Sequence, residues 1–448
     1  MGYSFDKYKQ QYTSLIKLGA PILLGQLGII ATSFFDTLMV GHYSTEALAS
    51  ASFVNGLFNL ITFMSMGFSY GLTPVIATAF GRGDNHGIGD SLRNGIVLNL
   101  LFAVAVVAIM SVTYLFVEDM GQPNELIPII KPYYLTVMLS MLPMALINAI
   151  KQFSDGITDT RLGMWIIIGG NVLNIVGNYI LIFGKLGFPE FGLLGAGIST
   201  LFSRIVMVVV YAAIICSSRK YRPYIEAFAD ARINSVSMRS IFATSMPISL
   251  QMGFETGSFT AASVMIGWLG KDQLAAYQVM LVIGTLGFMV YYSVGASIAI
   301  KMANYYGEGS KTKMRQCSIA GYHIMLMCAV FACSVFYLFS EPLIRIFTDD
   351  NAVVAIALTL ILPLILYQLG DATQITYANA LRGLSDAKPM MYIAGFAYVV
   401  VGLPACYLLA FPLGLGIVGA YLSFTVSLVT AGSMFMYRFY SHPAVRLK

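Results

Sequence analysis

A chain of 448 residues that is 58% hydrophobic and only 10% charged has too little polar surface for a soluble domain, whose charged share is usually about 25%. That balance excludes a water-soluble globule and points to a protein that crosses a bilayer many times. The net charge of +5 is what an excess of Lys and Arg in cytoplasmic loops is expected to give, and lends nucleic-acid binding no support.

Crossing about 30 Å of hydrocarbon takes about 20 apolar residues, and such runs recur twelve times. The first is expected at 15–40, behind the polar segment Met1–Gln11, and is too long for a cleavable signal. It carries Asp36, with Gln26, Ser33 and Thr37 on the same face of a 3.6-residue repeat. Spans at 47–78, 94–117 and 131–153 precede one at 163–184, where Asn174 and Asn178 stand four apart and can face Asp36. The span at 193–217 holds Arg204, the one intramembrane cation, whose expected partners are an acid or backbone carbonyls. Segment 218–240, rich in Arg and Lys and containing Pro223, reads as a linker. The seventh span, 241–268, carries Glu255, with Gln251 four residues before it and Ser258 three after. Spans at 274–304 and 317–339 lead to 353–378, where Tyr367, Asp371 and Gln374 line one side of the helix. Spans at 390–411 and 416–437 complete the set.

The positive charges test this assignment independently, because cytoplasmic loops carry the Lys and Arg excess. Of 26 such residues, Lys131, Lys185, Lys271 and Arg345 fall on the outer side, Arg204 lies in mid-membrane, and the other 21 fall inside. Both termini are therefore expected in the cytoplasm. The five cysteines show no metal-ligand spacing and read as small buried apolar residues. The four histidines are scattered. No phosphate-binding Gly-rich loop, His-Glu-x-x-His or Gly-x-Ser-x-Gly motif occurs, so neither an ATPase nor an intramembrane enzyme is expected.

The chain repeats itself. A shift of 226 residues aligns Pro21-Ile-Leu-Leu with Pro247-Ile-Ser-Leu, Gly81-Arg-Gly with Gly307-Glu-Gly, and Gly95 with Gly321. With one more residue of shift, Gly156-Ile-Thr-Asp matches Gly383-Leu-Ser-Asp. Six helices per half is an even number, so both halves enter the membrane with the same orientation. The expected fold is an all-α integral membrane protein of two six-helix bundles related by a pseudo-two-fold axis along the membrane normal. Its expected domains are 1–217, a cytoplasmic linker at 218–240, and 241–448. Carriers built this way open a midplane cleft alternately to either side.

Three carboxylates, Asp36, Glu255 and Asp371, are the chemistry-bearing residues. A charge at the bilayer centre costs about 2.5–3.5 kcal/mol even on insertion scales, which makes each a functional-site hypothesis. Their oxygen-rich neighbours suit a hard cation such as Na⁺, and a desolvated carboxylate equally suits a proton. The acids also break the repeat: Asp36 maps onto Ala262, Glu255 onto Ile29 and Asp371 onto Met144. The plainer alternative is that they only hydrogen-bond between helices.

Ser33 through Gly41, Pro247 through Glu255 with Ala275-Ala-Tyr-Gln278, and Tyr367 through Asp371 followed by Leu381-Arg-Gly383 resemble the multidrug and toxic compound extrusion (MATE) transporters, NorM-type branch. The resemblance implies a monomeric antiporter of the bacterial inner membrane, without cofactor. It would export cationic amphipathic compounds in exchange for inward Na⁺ or H⁺. By motif match, Glu255, Asp371 and Tyr367 would take the cation, with Na⁺ a candidate at Glu255 and Asp371. Asp36 with Asn174 and Asn178 would form a second cation site, and Gln251, Gln374 and Gln278 are candidate contacts for cargo. Some relatives carry an acid where Asn178 stands, a departure that bears on metal affinity. The alternative function is a flippase for a lipid-linked oligosaccharide or cell-wall precursor. That class needs cations to hold a pyrophosphate, and here three carboxylates face Arg204 alone.

Overall fold

The computed structural model describes residues 5–446. Among them every regular element is helical. The long elements are α1 (Phe5–Tyr43), α2 (Thr45–Gly81, interrupted at Gly71), α3 (Asn85–Leu115), α4 (Ile127–Gly156), α5 (Thr160–Ile182) and α6 (Leu193–Ser217), followed by α7 (Ser235–Gly267), α8 (Lys271–Gly307), α9 (Lys311–Leu338), α10 (Asn351–Thr359 and Ile361–Gly383), α11 (Ala387–Ala410) and α12 (Gly416–Ser441). Ten of them are each long and apolar enough to cross a membrane, and the two segments of α10, bent by 46°, qualify together. The remaining one, α7, spans 33 residues. Its sequence is diluted by Ser, Thr and Gln as well as by Arg239 and Glu255, which is what a helix with a polar, inward-facing stripe requires. The protein is thus an all-helical, multi-pass membrane protein. Shorter helices occupy Arg222–Asp230, within the expected linker, and Ser340–Arg345.

The chain divides into two compact units. One is Leu24–Ser249; the other joins Leu250 onward to the start of α1 as far as Leu23. Each division falls inside a helix, just after Pro21 in α1 and just after Pro247 in α7. The two positions are equivalent under the 226-residue shift. The expected lobes 1–217 and 241–448, with the linker 218–240, follow the duplication, whereas compactness divides the chain within α1 and α7.

The duplication persists in details of backbone and packing. Gly83 and Gly309, both at φ 71°, make the turn after α2 and after α8. The next residue caps the following helix in each half: Asp84 accepts from the Gly87 amide at 2.8 Å, and Ser310 from the Lys313 amide at 3.5 Å. Thr158 and Ser385, equivalent non-glycine residues, both adopt positive φ, 65° and 58°, a strained choice that turns the chain at once from α4 to α5 and from α10 to α11. Close approaches also recur. A Cβ on Gly95 would fall 2.6 Å from Leu72, and one on Gly321 would fall 2.5 Å from the equivalent Ile298.

In the Leu24–Ser249 unit, Phe68, Leu72, Ile76, Phe153 and Tyr211 form a core in which Phe68 stacks on Phe102 at 4.1 Å. The N-terminal part of α3 grips the linker: Arg93 donates to the carbonyls of Phe228, Ala229 and Ala231, the last at 2.7 Å, a cation closing a helix C-terminus. The other unit has its own core, around Tyr291, Ile298, Met325, Leu381 and Phe435. Here Tyr12 and His323 hydrogen-bond at 2.7 Å. Cys317 and Cys406 are buried as expected, but Cys216 is exposed and Cys328 and Cys333 are half-buried, so the five are not uniformly core residues.

Each interhelical turn at Thr158 and Ser385 is followed by an acid held by a cation from its own unit. Asp386 takes a two-pronged contact from Arg438, at 2.6 and 3.1 Å. Asp159 pairs with Lys220 and accepts from the Tyr221 hydroxyl at 2.5 Å. Partial burial works to raise the Asp159 carboxyl, but the bonds from Lys220 and Tyr221 outweigh it and hold the group below the usual carboxylate range. A depressed folded value means that this stabilisation is complete above the unfolded carboxylate pKa of about 4 and fades as pH falls through the folded one. Asp159→Asn is therefore expected to lower the melting temperature of the purified protein by an amount that is constant above about pH 5 and shrinks below about pH 4. Thermal melts across that range check it, and a gap that stays constant into acid would show that the charge contributes nothing.

Candidate functional site

The two acid clusters lie in different units, and each is described in its own. In the Leu24–Ser249 unit, α1 runs close along α5. A Cβ on Gly28 would come within 3.0 Å of Asn171, and one on Gly25 within 3.7 Å of Ile167. Two turns beyond Gly28, the half-buried Asp36 meets Asn178, whose Nδ2 donates to Oδ1 at 2.5 Å. Asn174, turned so that its NH₂ faces the acid, donates to the same oxygen at 3.1 Å while its own oxygen accepts from Thr200 N and Oγ1 at 3.3 and 3.2 Å. Both asparagines are at most 5% exposed. The expected trio of Asp36, Asn174 and Asn178 is brought together, and α6 joins it through Thr200, which the sequence reading had not singled out. Arg204, one turn further along α6, meets the Ser140 carbonyl, one of the two kinds of partner expected for it.

In the other unit, Gln251 donates to Glu255 Oε2 at 3.0 Å along α7. Asp371, on α10, is 2% exposed. Its carboxyl feels the charge of Glu255, while Glu255 itself lies within electrostatic reach of the Arg382 guanidinium. Among the described residues Asp371 Oδ2, Gln374 Oε1, Gln251 Oε1 and Ser258 Oγ are buried with no hydrogen-bond partner. Unpaired buried oxygens are costly. Among the described residues the buried hydroxyls of Tyr291 and Tyr398 and the Gln368 amide also lack partners, so the group is under-satisfied in donors and acceptors alike, and its carboxylate and amide oxygens are the atoms that a bound proton or hard cation would engage. No group of three or more His, Cys, Asp or Glu suited to a metal occurs among the described residues, so any cation here would depend on two carboxylates plus neutral oxygens.

Tyr367 is half-buried in an aromatic group, edge-on to Phe259 at 6.4 Å and to Tyr421 at 6.3 Å, and its hydroxyl lies within electrostatic reach of both acids. Gln278 is exposed and donates to Ser263 Oγ at 3.4 Å; no hydrogen bond joins it to the acids among the described residues.

Besides Arg382, three residues join this cluster that the sequence reading missed. Tyr291, on α8, and Tyr398, on α11, are buried within electrostatic reach of the Asp371 carboxyl. Gln368 is fully buried, and neither atom of its amide has a partner. Tyr398 sits in a π-helical stretch, Gly395–Gly402, which packs closely on Phe254 at one end and Ser427 at the other. The equivalent part of α5 is regular α-helix. One extra residue per turn rotates the side chains that follow, and no apolar period announces it. Beside Ser258 a narrow cavity lined by Tyr398, Ser423, Phe424 and Ser427 has room for about one water molecule.

The MatE family model matches residues 21–180 and again 247–408. The chain belongs to the MatE family. The two matches to this MatE chain begin at Pro21 and Pro247, the same 226-residue offset seen in the sequence. Asp36, Asn174 and Asn178 fall within the first match and Glu255, Tyr367 and Asp371 within the second; Arg204 falls in neither. Among full-length relatives, a "Probable multidrug resistance protein NorM" of Pasteurella multocida is 31% identical over 97% of this chain and 95% of its own. The "Multidrug resistance protein NorM" of Vibrio cholerae is 28% identical over 97% and 96%. The fold matches a eukaryotic MATE transporter with TM-score 0.88, at 18% identity over 98% of this chain and 97% of that one. It matches a Vibrio cholerae MATE transporter with TM-score 0.85, at 19% identity over 98% and 99%. This MatE chain is a membrane transporter and not an enzyme.

Proposed function

We propose that the chain is a secondary antiporter that exports cationic amphipathic compounds in exchange for inward Na⁺ or H⁺, as a monomer in the bacterial inner membrane with both termini cytoplasmic. The observation that carries this reading is Asp371, almost fully buried, with an unpartnered oxygen and with Glu255 as a second acid acting on it. Two carboxylates in a dry site repel each other, and the arrangement is relieved when a proton, a metal ion or a cationic compound neutralises one of them.

The mechanism follows from that competition. Coupling ion and positively charged cargo both stabilise the carboxylates, so binding of one favours release of the other. Reorientation with both acids bare is disfavoured by the cost of desolvated charge. Glu255, Asp371 and Tyr367 take the coupling ion. Asp36, fixed by Asn178 and Asn174, is a third carboxylate, whose neutralisation accompanies the cycle. A membrane potential supplies about 2.3 kcal/mol per charge per 100 mV. The NorM names of the relatives support a drug-like cargo, and the acid excess supports a cationic one.

The test is efflux of preloaded ethidium from bacteria lacking their own pumps, with the chain expressed and either an outside Na⁺ pulse or an outside acid pulse applied. Expulsion on one pulse, abolished by the matching ionophore, is expected and names the ion. No expulsion on either pulse by correctly inserted protein would remove the antiport reading in favour of a flippase.

A further inference from the structure

Arg204 has no part in the cycle just described. It follows Thr200 by four residues on α6 and so shares its face; Thr200 is bonded to Asn174, the partner of Asp36. The guanidinium Nη1 donates to Ser140 Oγ at 2.6 Å and to the Ser140 carbonyl at 3.2 Å, which anchors it on α4. Among the described residues Arg204 forms no ion pair, yet its charge acts on Asp36 and on Tyr133. The groups around Asp36 can be read element by element. The face of α5 gives the neutral amides of Asn174 and Asn178. From α4 comes Tyr133, bonded to Asn55 of α2 at 3.4 Å, and from α6 comes Arg204. Among the described residues no second carboxylate joins them.

One carboxylate with one fixed guanidinium has no net charge. A metal ion held by a few side-chain oxygens draws its largest attraction from a carboxylate's charge, and a fixed guanidinium nearby offsets that attraction and repels the ion. A proton forms an O–H bond on the carboxylate itself and needs no ligand shell. We propose that Arg204 is a specificity-determining residue that closes the Asp36 cluster to metal ions and leaves it to protons. This rests on the antiport reading, in which Asp36 must be neutralised during the cycle.

The experiment measures Na⁺ binding to purified full-length protein carrying Glu255→Gln and Asp371→Asn, which leaves Asp36 as the acid under test. With Arg204 present, no saturable Na⁺ binding is expected. Adding Arg204→Gln is expected to create it, at least about tenfold tighter than any residual binding, and adding Asp36→Asn to that is expected to abolish it. Arg204→Lys, which keeps the charge, should leave the site closed. Asn178→Asp, which adds a carboxylate and leaves Arg204 in place, should open it, and this arm stands even if Arg204→Gln does not fold. Na⁺ binding with Arg204 present and Asn178 unchanged would overturn the proposal. So would its absence in folded Arg204→Gln or Asn178→Asp protein, or its appearance in Arg204→Lys. Failure of the wild-type chain to expel ethidium would overturn the antiport reading separately, without altering these binding results.

Discussion

Asp371→Asn is expected to abolish ion-driven efflux while raising the melting temperature of the purified protein. The two effects have one cause. Asp371 is 2% exposed and one of its oxygens lacks a partner, while nearby Gln374 and Gln251 also present unpartnered oxygens. An amide of the same size cannot ionise, which removes the repulsion with Glu255, and its N–H groups are donors that oxygens such as Gln374 Oε1 lack. Each buried oxygen so satisfied is worth about 1–3 kcal/mol, a gain that would register as several degrees. The cost is the coupling step, because the neutral amide no longer holds or releases a cation, and efflux should fall to that of cells without the chain. Ethidium efflux and thermal melts at about pH 8, where carboxylates without large shifts are ionised, check the pair together. A variant that is less stable and still exports would make Asp371 an interhelical hydrogen-bonding residue and no more.

The fold was legible in the sequence because its signals are large. Apolar runs of helical length and a 226-residue repeat act over the whole chain, and equivalent turns at Gly83 and Gly309 and at Thr158 and Ser385 bear the repeat out in backbone angles. The acids were legible for a related reason, since a carboxylate in an apolar run has few competing explanations. What escaped was set by local geometry. Tyr398 reaches the acids from a π-helical stretch that leaves no trace in the apolar period. Gln368 and Tyr291 look like ordinary helix residues until their burial is known. The change of unit inside α1 and α7 is a packing fact whose only sequence trace is the shared proline at 21 and 247.

Gly71→Ser is expected to destabilise the Leu24–Ser249 unit severely, and Ser245→Gly in the same chain is expected to restore much of the loss. At the break in α2, a Cβ on Gly71 would lie 2.3 Å from Ser245 Oγ, 2.4 Å from its Cα and 2.6 Å from its backbone nitrogen. Backbone atoms cannot swing aside as a flexible side chain can, so α2 and α7 would have to separate, at a cost of about 3 kcal/mol or more. The duplication shows how that separation can be accommodated. At the equivalent crossing in the other unit the residue types are exchanged: Ser297 on α8 stands for Gly71 and Gly19 on α1 stands for Ser245. There the nearest approach to a Cβ on Gly19 is 3.3 Å from the Ser293 carbonyl oxygen, with Ser297 Oγ at 3.6 Å. A crossing with serine on the first partner and glycine on the second is therefore one this fold already builds. The double variant should reach it by a small shift of α7 against α2. Folded yield and melting temperature of the two single variants and the double variant form a mutant cycle, with an expected coupling of about 2 kcal/mol. A double variant no more stable than Gly71→Ser alone would mean that the two crossings, though equivalent in sequence, are not interchangeable in packing.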